Sequence, residues 1–422
     1  MKKIVIVGGG FAGLNLAKKL AKSNENLVTL VDQNNFHFFP PLLYQVATAF
    51  IEPSNISYPF RKMFQGKKVK FFMGKLIEIV PDQKKIITEN GDIAYDILVL
   101  AMGTETNFFG NEEISKNAFP MKSIDEALSI RNHILLQLEK ATRTNELSDK
   151  IRFSNIVIAG GGPTGVELAG MLAEMDKHIM AKDYPDNDVA HGKIYLVDGL
   201  STLLSPMSVK SQREAVDVLT NLKVEILLNT MVNGYDGQVV SLSDGSKIPA
   251  ATLIWASGVI ARNVPGIPLD SIGRGRRILV DAYNEVKGLQ DVFAIGDQCI
   301  QMSDPAFSTG HPQLAQVAIQ QGNLLGENIL RKSKGIPLKK FTHNDKGSMA
   351  IIAKFKAVVD LPRSFFKGFM AWLIWLFIHI IPIAGFRNKA KIFYNWLWSF
   401  ITNDPTLRLI IKASASSNKD VK

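Results

Sequence analysis

Twice in 422 residues a short apolar run ends in three consecutive glycines and gives way to sequence with a helical period. The first copy, at 2–20, reads KKIVIVGGGFAGLNLAKKL; the second, at 154–172, reads SNIVIAGGGPTGVELAGML. Both keep the spacing GxGxxG, with Gly8, Gly10 and Gly13 in one and Gly160, Gly162 and Gly165 in the other. This spacing joins a buried strand to a helix through a very tight turn. The first glycine makes the turn, the second opens the backbone to a ligand, and the third lets helix and strand pack closely. The helix N-terminus then offers unpaired N–H groups to a pyrophosphate.

An acid at the end of the following strand completes each pattern. LVTLVD ends at Asp32, 19 residues after Gly13, and KIYLVD ends at Asp198, 33 residues after Gly165. A carboxylate there accepts hydrogen bonds from an adenosine ribose. The longer second spacing predicts an inserted loop in the charged, proline-containing stretch 176–193. Asp198 also repels a 2′-phosphate, which favours NADH over NADPH. Two dinucleotide sites on one chain are most economically a hydride donor and a flavin. The expected fold class is α/β, with two Rossmann-like dinucleotide-binding domains, for FAD and NADH, and a C-terminal helical membrane-docking region.

Charge placement supports that last element. The net charge is +10, and residues 362–422 hold nine Lys and Arg against two Asp, together with four of the five tryptophans. Within them, 368–386 reads GFMAWLIWLFIHIIPIAGF, without a formal charge. Cations and aromatics beside an apolar run suit an anionic lipid surface better than nucleic acid, so no nucleic-acid partner is expected. Pro382 and His379 interrupt the run and no comparable second span exists, so it is expected to lie on the membrane rather than cross it. A buried dimer contact is the other reading.

Cys299 is the single cysteine. That excludes an intrachain disulfide, a CxxC redox pair and a cluster held by four thiolates. His37 and His311 have no partners at ligand spacing, so they are read as packing or helix-start residues and no metal site is expected.

Further stretches carry a resemblance. LVLAMGTETN (98–107), LIWASGV (253–259) and DVFAIGDQC (291–299) follow the first glycine motif in the order found in two-dinucleotide flavoprotein reductases. HPQLAQVAIQQG (311–322) and NNFHFFPPLLYQVATAFIEP (34–53), continued by KGSMAIIA (346–353) and GFRNKAKIFYNWLWSFITND (385–404), resemble the type II NADH:quinone oxidoreductases over nearly the whole chain. The lone cysteine separates the chain from disulfide reductases and sulfide:quinone reductases of the same superfamily.

The resemblance implies a non-proton-pumping enzyme that passes electrons from NADH through non-covalent FAD to a membrane quinone. It implies FAD contacts from Gly8, Gly9, Gly10, Phe11, Ala12, Gly13, Asp32, Gln33, Leu76, Gly103, Asp297, Ala315, Gln316 and Lys367. The NADH contacts are Gly160, Gly162, Pro163, Thr164, Gly165, Asp198, Ala256 and Gly258, and the quinone contacts are Gln316, Gln320, Tyr44, Ala47 and Thr48. Glu167 and Gln316 take the catalytic positions. From the residues alone, Glu167 reads equally well as a solvated first-turn acid that stabilises the helix dipole. Pro312 suits the first position of a helix whose N-terminus faces the flavin, and Gln316 and Gln320 share one face of it. Partners implied are a quinone, the bilayer surface and a second copy of the chain, at the cytoplasmic face of a bacterial inner membrane.

The expected domains are 1–120 and 276–335 for FAD, 121–275 for NADH and 336–422 for membrane anchoring, with junctions near Pro120 and GRGRR (273–277). Two rivals share the fingerprints: a soluble NADH-dependent ferredoxin or rubredoxin reductase, and a flavoprotein sensor that binds NADH without turnover.

Overall fold

The computed structural model describes residues 1–23, 25–177, 181–184, 192–402 and 408–410. Most of the loop expected at 176–193 and all of the polar tail lie outside the described residues. The chain forms two compact units from discontinuous segments: 1–38, 57–105 and 259–346 in the first, and 39–56, 106–258 and 347–422 in the second.

The first unit is built on a five-stranded parallel sheet in the order Val292–Ala294, Ile97–Leu100, Lys2–Val7, Asn26–Asp32, Val69–Met73. Its central strand is apolar at consecutive positions because both faces are covered. Ile4 and Ile6 enter a core with Leu16, Leu20, Leu325 and Ile329, from the helices Phe11–Leu20 and Ala315–Ser333. Val5 and Val7 enter the opposite core with Ile79 and Ile86, from an antiparallel sheet of Leu76–Val80, Lys85–Thr88 and Gly91–Ala94. The two helices touch because Gly322 has no side chain; a Cβ there would overlap the carbonyl of Ala12.

The second unit repeats this plan. Its parallel sheet runs Phe119–Pro120, Thr252–Trp255, Ile156–Ala159, Ile194–Val197, Glu225–Leu227. One face is covered by the antiparallel strands Val232–Tyr235, Val239–Leu242 and Lys247–Pro249, through Tyr235, Val240, Leu242 and Ile248.

The C-terminal segment is not only helical. It opens with an antiparallel sheet of Ser348–Ala353, Lys356–Leu361 and Ser364–Lys367, and only then forms the helices Gly368–Ile380 and Phe386–Thr402. The sheet seats on the helix Pro163–Met175 at Gly170, where any Cβ would overlap the carbonyl of Ile352. In the helix Gly368–Ile380, Ala371, Trp372 and Trp375 point inward, while Phe369, Met370, Phe377 and Ile378 are exposed. Pro382 lies beyond its end, and no helix among the described residues is long and apolar enough to cross a membrane.

Candidate active site

The first glycine turn is fixed by steric necessity. Gly8 has φ +105°, and a Cβ on it would strike the carbonyl of Ala101; a Cβ on Gly13 would strike the carbonyl of Gly8. At Gly10 a Cβ would meet nothing within 4 Å, so the middle glycine borders open space. Asp32, at the end of the neighbouring strand, accepts the Gly9 N–H at 2.6 Å and the Asn34 N–H at 2.8 Å. Burial lifts its pKa while these N–H groups and Arg262 pull it down, and burial prevails. Buried His37 donates from Nδ1 to the Gly9 carbonyl at 2.9 Å; the acceptor is a carbonyl, so the proton sits on that nitrogen.

Two distant segments close on this turn. The strand Val292–Ala294 leads into Gly296–Gln298, where Gly296 has φ +73° and a Cβ would press on the methyl groups of Ala12 and Ala318. Close packing against the first helix and the long one therefore positions Asp297, whose carbonyl accepts Gln313 Nε2 at 2.8 Å. Two buried amides missed in the sequence complete the arrangement. Gln321 accepts the Gly296 N–H at 2.7 Å and Gln298 accepts the Met102 N–H at 2.8 Å. Gln321 directly follows Gln320, and nothing local marks which of the two faces inward.

The long helix starts at Ala315, not at Pro312, and no side chain caps it. Gln316 and Gln320 do share a face, but both are engaged. Gln316 accepts the Lys346 N–H at 3.0 Å and Gln320 brackets the backbone of Asn344, so the two amides clamp residues 344–346. His311 is buried and bonded through Nε2 to Asp304 at 2.9 Å. Gly103 borders open space at φ +68°, Leu76 is half-buried and Gln33 is exposed.

The second glycine turn matches the first group by group. Gly160 has φ +114° with its missing Cβ against the carbonyl of Ala256, Gly165 packs on the carbonyl of Gly160, and Gly162 borders open space. Pro163 is the first helical residue and Thr164 beside it is exposed. Asp198 accepts the N–H of Gly161, and that of Leu200 at 2.7 Å. The loop after Thr252–Trp255 carries Ala256 and Gly258, and Gly258 has φ +138°.

Glu167 lies in the second turn of its helix and is buried, so the solvated reading fails. It accepts the Ile351 N–H, and burial raises its pKa well above the ordinary carboxyl value. Its charge would also act on Tyr44, which is buried in the helix Leu43–Ala47 along with Ala47; Thr48, buried just beyond, donates to the Tyr44 carbonyl at 2.7 Å. Lys367 pairs with Glu214 at 2.7 Å, an interaction that raises the lysine pKa.

Residues 2–322 match the pyridine nucleotide-disulphide oxidoreductase family. The chain is 33% identical to a type II NADH:quinone oxidoreductase of Mycobacterium tuberculosis, over 95% of this chain and 88% of the relative. The chain belongs to the type II NADH:quinone oxidoreductases. A Haemophilus influenzae member is 30% identical over 87% of this chain and 89% of its own. The fold agrees with that of NDH2 from Plasmodium falciparum in complex with NADH, with a TM-score of 0.86, 21% identity, and 97% and 100% of the two chains covered.

This type II oxidoreductase does not carry the disulphide chemistry of the broader family name. Its one cysteine, Cys299, is buried, and burial pushes the thiol up to about 11, so the reactive thiolate is scarce. The residues present do fit two dinucleotides. Each glycine turn leaves its middle glycine open beside a helix N-terminus, with an aspartate at the end of the adjacent strand.

Proposed function

We propose that this enzyme oxidises NADH and reduces a membrane quinone by two electrons, without pumping protons. The observation that carries the reading is the pair of matching glycine–aspartate turns on a chain whose only thiol is buried and inert. FAD, bound at the first glycine turn, would supply the hydride-accepting and two-electron-donating chemistry.

The chain's own residues bind and orient. Gly8 to Gly13 and Asp32 would hold the adenosine and pyrophosphate of FAD, and Asp297 would hold its ribityl hydroxyls, as the resemblance implies. Gly160 to Gly165 and Asp198 do the same for NADH, while Ala256 and Gly258 leave room beside the nicotinamide. Gln316 and Gln320 act by fixing residues 344–346. Burial favours the protonated form of Glu167, which lies where it can supply a proton near Tyr44 for the quinone.

The exposed apolar side of the two C-terminal helices rests on the bilayer. Phe377, Ile381 and Phe386 are 70%, 67% and 86% exposed, with Arg387 and Lys391 alongside. The enzyme therefore works on the NADH side of the membrane, the cytoplasmic face in a bacterium. A second copy of the chain, the dimer partner implied by the resemblance, would be the competing cover for the same face.

An anaerobic stopped-flow experiment tests the reading. NADH should bleach the bound flavin, and a short-chain quinone should then restore its colour rapidly. Flavin that stays reduced after quinone is added would refute the function.

A further inference from the structure

The buried Tyr44 of the second unit is held by a residue near the end of the chain. Trp396 donates its indole N–H to Gln45 Oε1 at 2.8 Å, and Gln45 Nε2 donates to the Tyr44 hydroxyl at 2.9 Å. All three side chains are buried, at 4%, 4% and 2% exposure for Trp396, Gln45 and Tyr44.

Hydrogen-bond chemistry gives this chain one direction. An indole N–H only donates, so the amide atom facing Trp396 must be the oxygen. The Gln45 NH₂ group then has to face Tyr44, and the phenol oxygen becomes an acceptor. The phenol hydrogen is left over, and among the described residues no acceptor takes it. A buried hydroxyl with its hydrogen uncommitted is costly unless something arrives to accept it. Glu167 is close enough for its charge to act on Tyr44, and the Ile351 N–H already engages that carboxyl.

We infer that Trp396 and Gln45 are positioning residues that set Tyr44 as the hydrogen-bond donor to a carbonyl oxygen of the quinone. The inference rests on the quinone-reductase reading above. Without the indole N–H the amide is free to turn over. Its oxygen would then draw the phenol hydrogen back, and the donor would be lost. The aromatic setting of Trp396 opposes such movement. Its ring lies 5.7 Å from that of Trp375, which stacks on His379 at 4.0 Å, so the apolar helix that bears the exposed face also fixes the indole. Docking of that face and orientation of the donor therefore share one piece of structure.

A double-mutant cycle separates this role from packing. Trp396→Phe keeps an aromatic ring and removes the donor; Gln45→Met keeps length and removes the N–H that holds the phenol oxygen and so fixes the direction of its hydrogen. Each, like Tyr44→Phe, should slow quinone-driven reoxidation of the reduced enzyme about tenfold and weaken calorimetric binding of a short-chain quinone by a similar factor. FAD content and the rate of bleaching by NADH should not change. In the Tyr44→Phe background, adding Trp396→Phe or Gln45→Met should cost nothing more, and either variant suffices should the other fail to fold.

Equal slowing in both backgrounds would reduce Trp396 to a packing residue and overturn the inference. Full-speed reoxidation of Tyr44→Phe would overturn it from the other end. A wild-type enzyme that quinone fails to reoxidise would instead sink the underlying function, which is a different result.

Discussion

The carboxyl of Glu167 accepts the backbone N–H of Ile351, which ties the helix after the second glycine turn to the first strand of the C-terminal sheet. Three residues further along the same helix face, Gly170 gives the carbonyl of Ile352 room to approach. Consecutive residues of one strand are thus held by an acid and by the absence of a side chain. The C-terminal segment that presents the apolar helices is joined to the acid proposed to serve the quinone.

Glu167→Gln should change how stability depends on pH. The folded-state pKa is raised well above 4.5, so the folded chain keeps a proton that the unfolded chain releases. The stability linked to this proton is fully present below pH 4.5 and is lost as pH rises through the folded value. The glutamine variant keeps an acceptor for Ile351 and cannot ionise. Thermal unfolding of the holoenzyme between pH 5 and pH 9 should show a shallower decline for the variant, and parallel curves would refute the assignment. Quinone-dependent reoxidation should also slow by about a hundredfold, within the usual range for a lost general acid.

Gly170→Ala adds one methyl group where a backbone carbonyl lies. Backbone gives way less readily than a side chain, so a loss of roughly 1–3 kcal/mol is expected. Limited proteolysis should find the C-terminal sheet and helices cut sooner than in the wild type, with bleaching by NADH retained. Unaltered melting and cleavage would contradict the packing described.

Asp198→Asn removes a charge while keeping one oxygen for the neighbouring N–H groups. Repulsion of a 2′-phosphate disappears, so the ratio of kcat/KM for NADPH to that for NADH should rise about tenfold or more. Steady-state rates with the two nucleotides measure it directly. A constant ratio would exclude this carboxylate as the discriminating group.

Replacing Phe377, Ile381 and Phe386 together by serine should release the protein from lipid. Each side chain is mostly exposed, so the fold loses little. Burial of each in a bilayer is worth roughly 1.5–3 kcal/mol, and partition onto anionic vesicles should fall by a hundredfold or more. Cosedimentation checks this. Undiminished vesicle binding, with a lost dimer in gel filtration, would assign the face to a second copy of the chain instead.

The glycine turns were legible because their requirements are local. A positive φ at Gly8 and Gly160, and close approach at Gly13 and Gly165, are satisfied within a strand, a turn and a helix. The strands before them were equally plain, since a central parallel strand covered on both faces is apolar at consecutive positions. The helix start at Ala315 rather than Pro312, and the strands ahead of the apolar helices, were less so. Proline is compatible with the last residues of a loop as well as with a first helical turn, and SMAIIA shows no period that separates strand from short helix.

The sequence alone therefore determined two nucleotide-binding folds, their order, their acids and the exclusion of thiol chemistry. All of these depend on residue type at short spacing or on composition. Tertiary structure alone decided that Glu167 is buried, that Gln320 clamps backbone while adjacent Gln321 holds the Gly296 turn, and that Trp396 reaches Gln45. Burial and hydrogen-bond direction belong to pairs of groups far apart in the chain, and no single stretch carries the identity of its own partner.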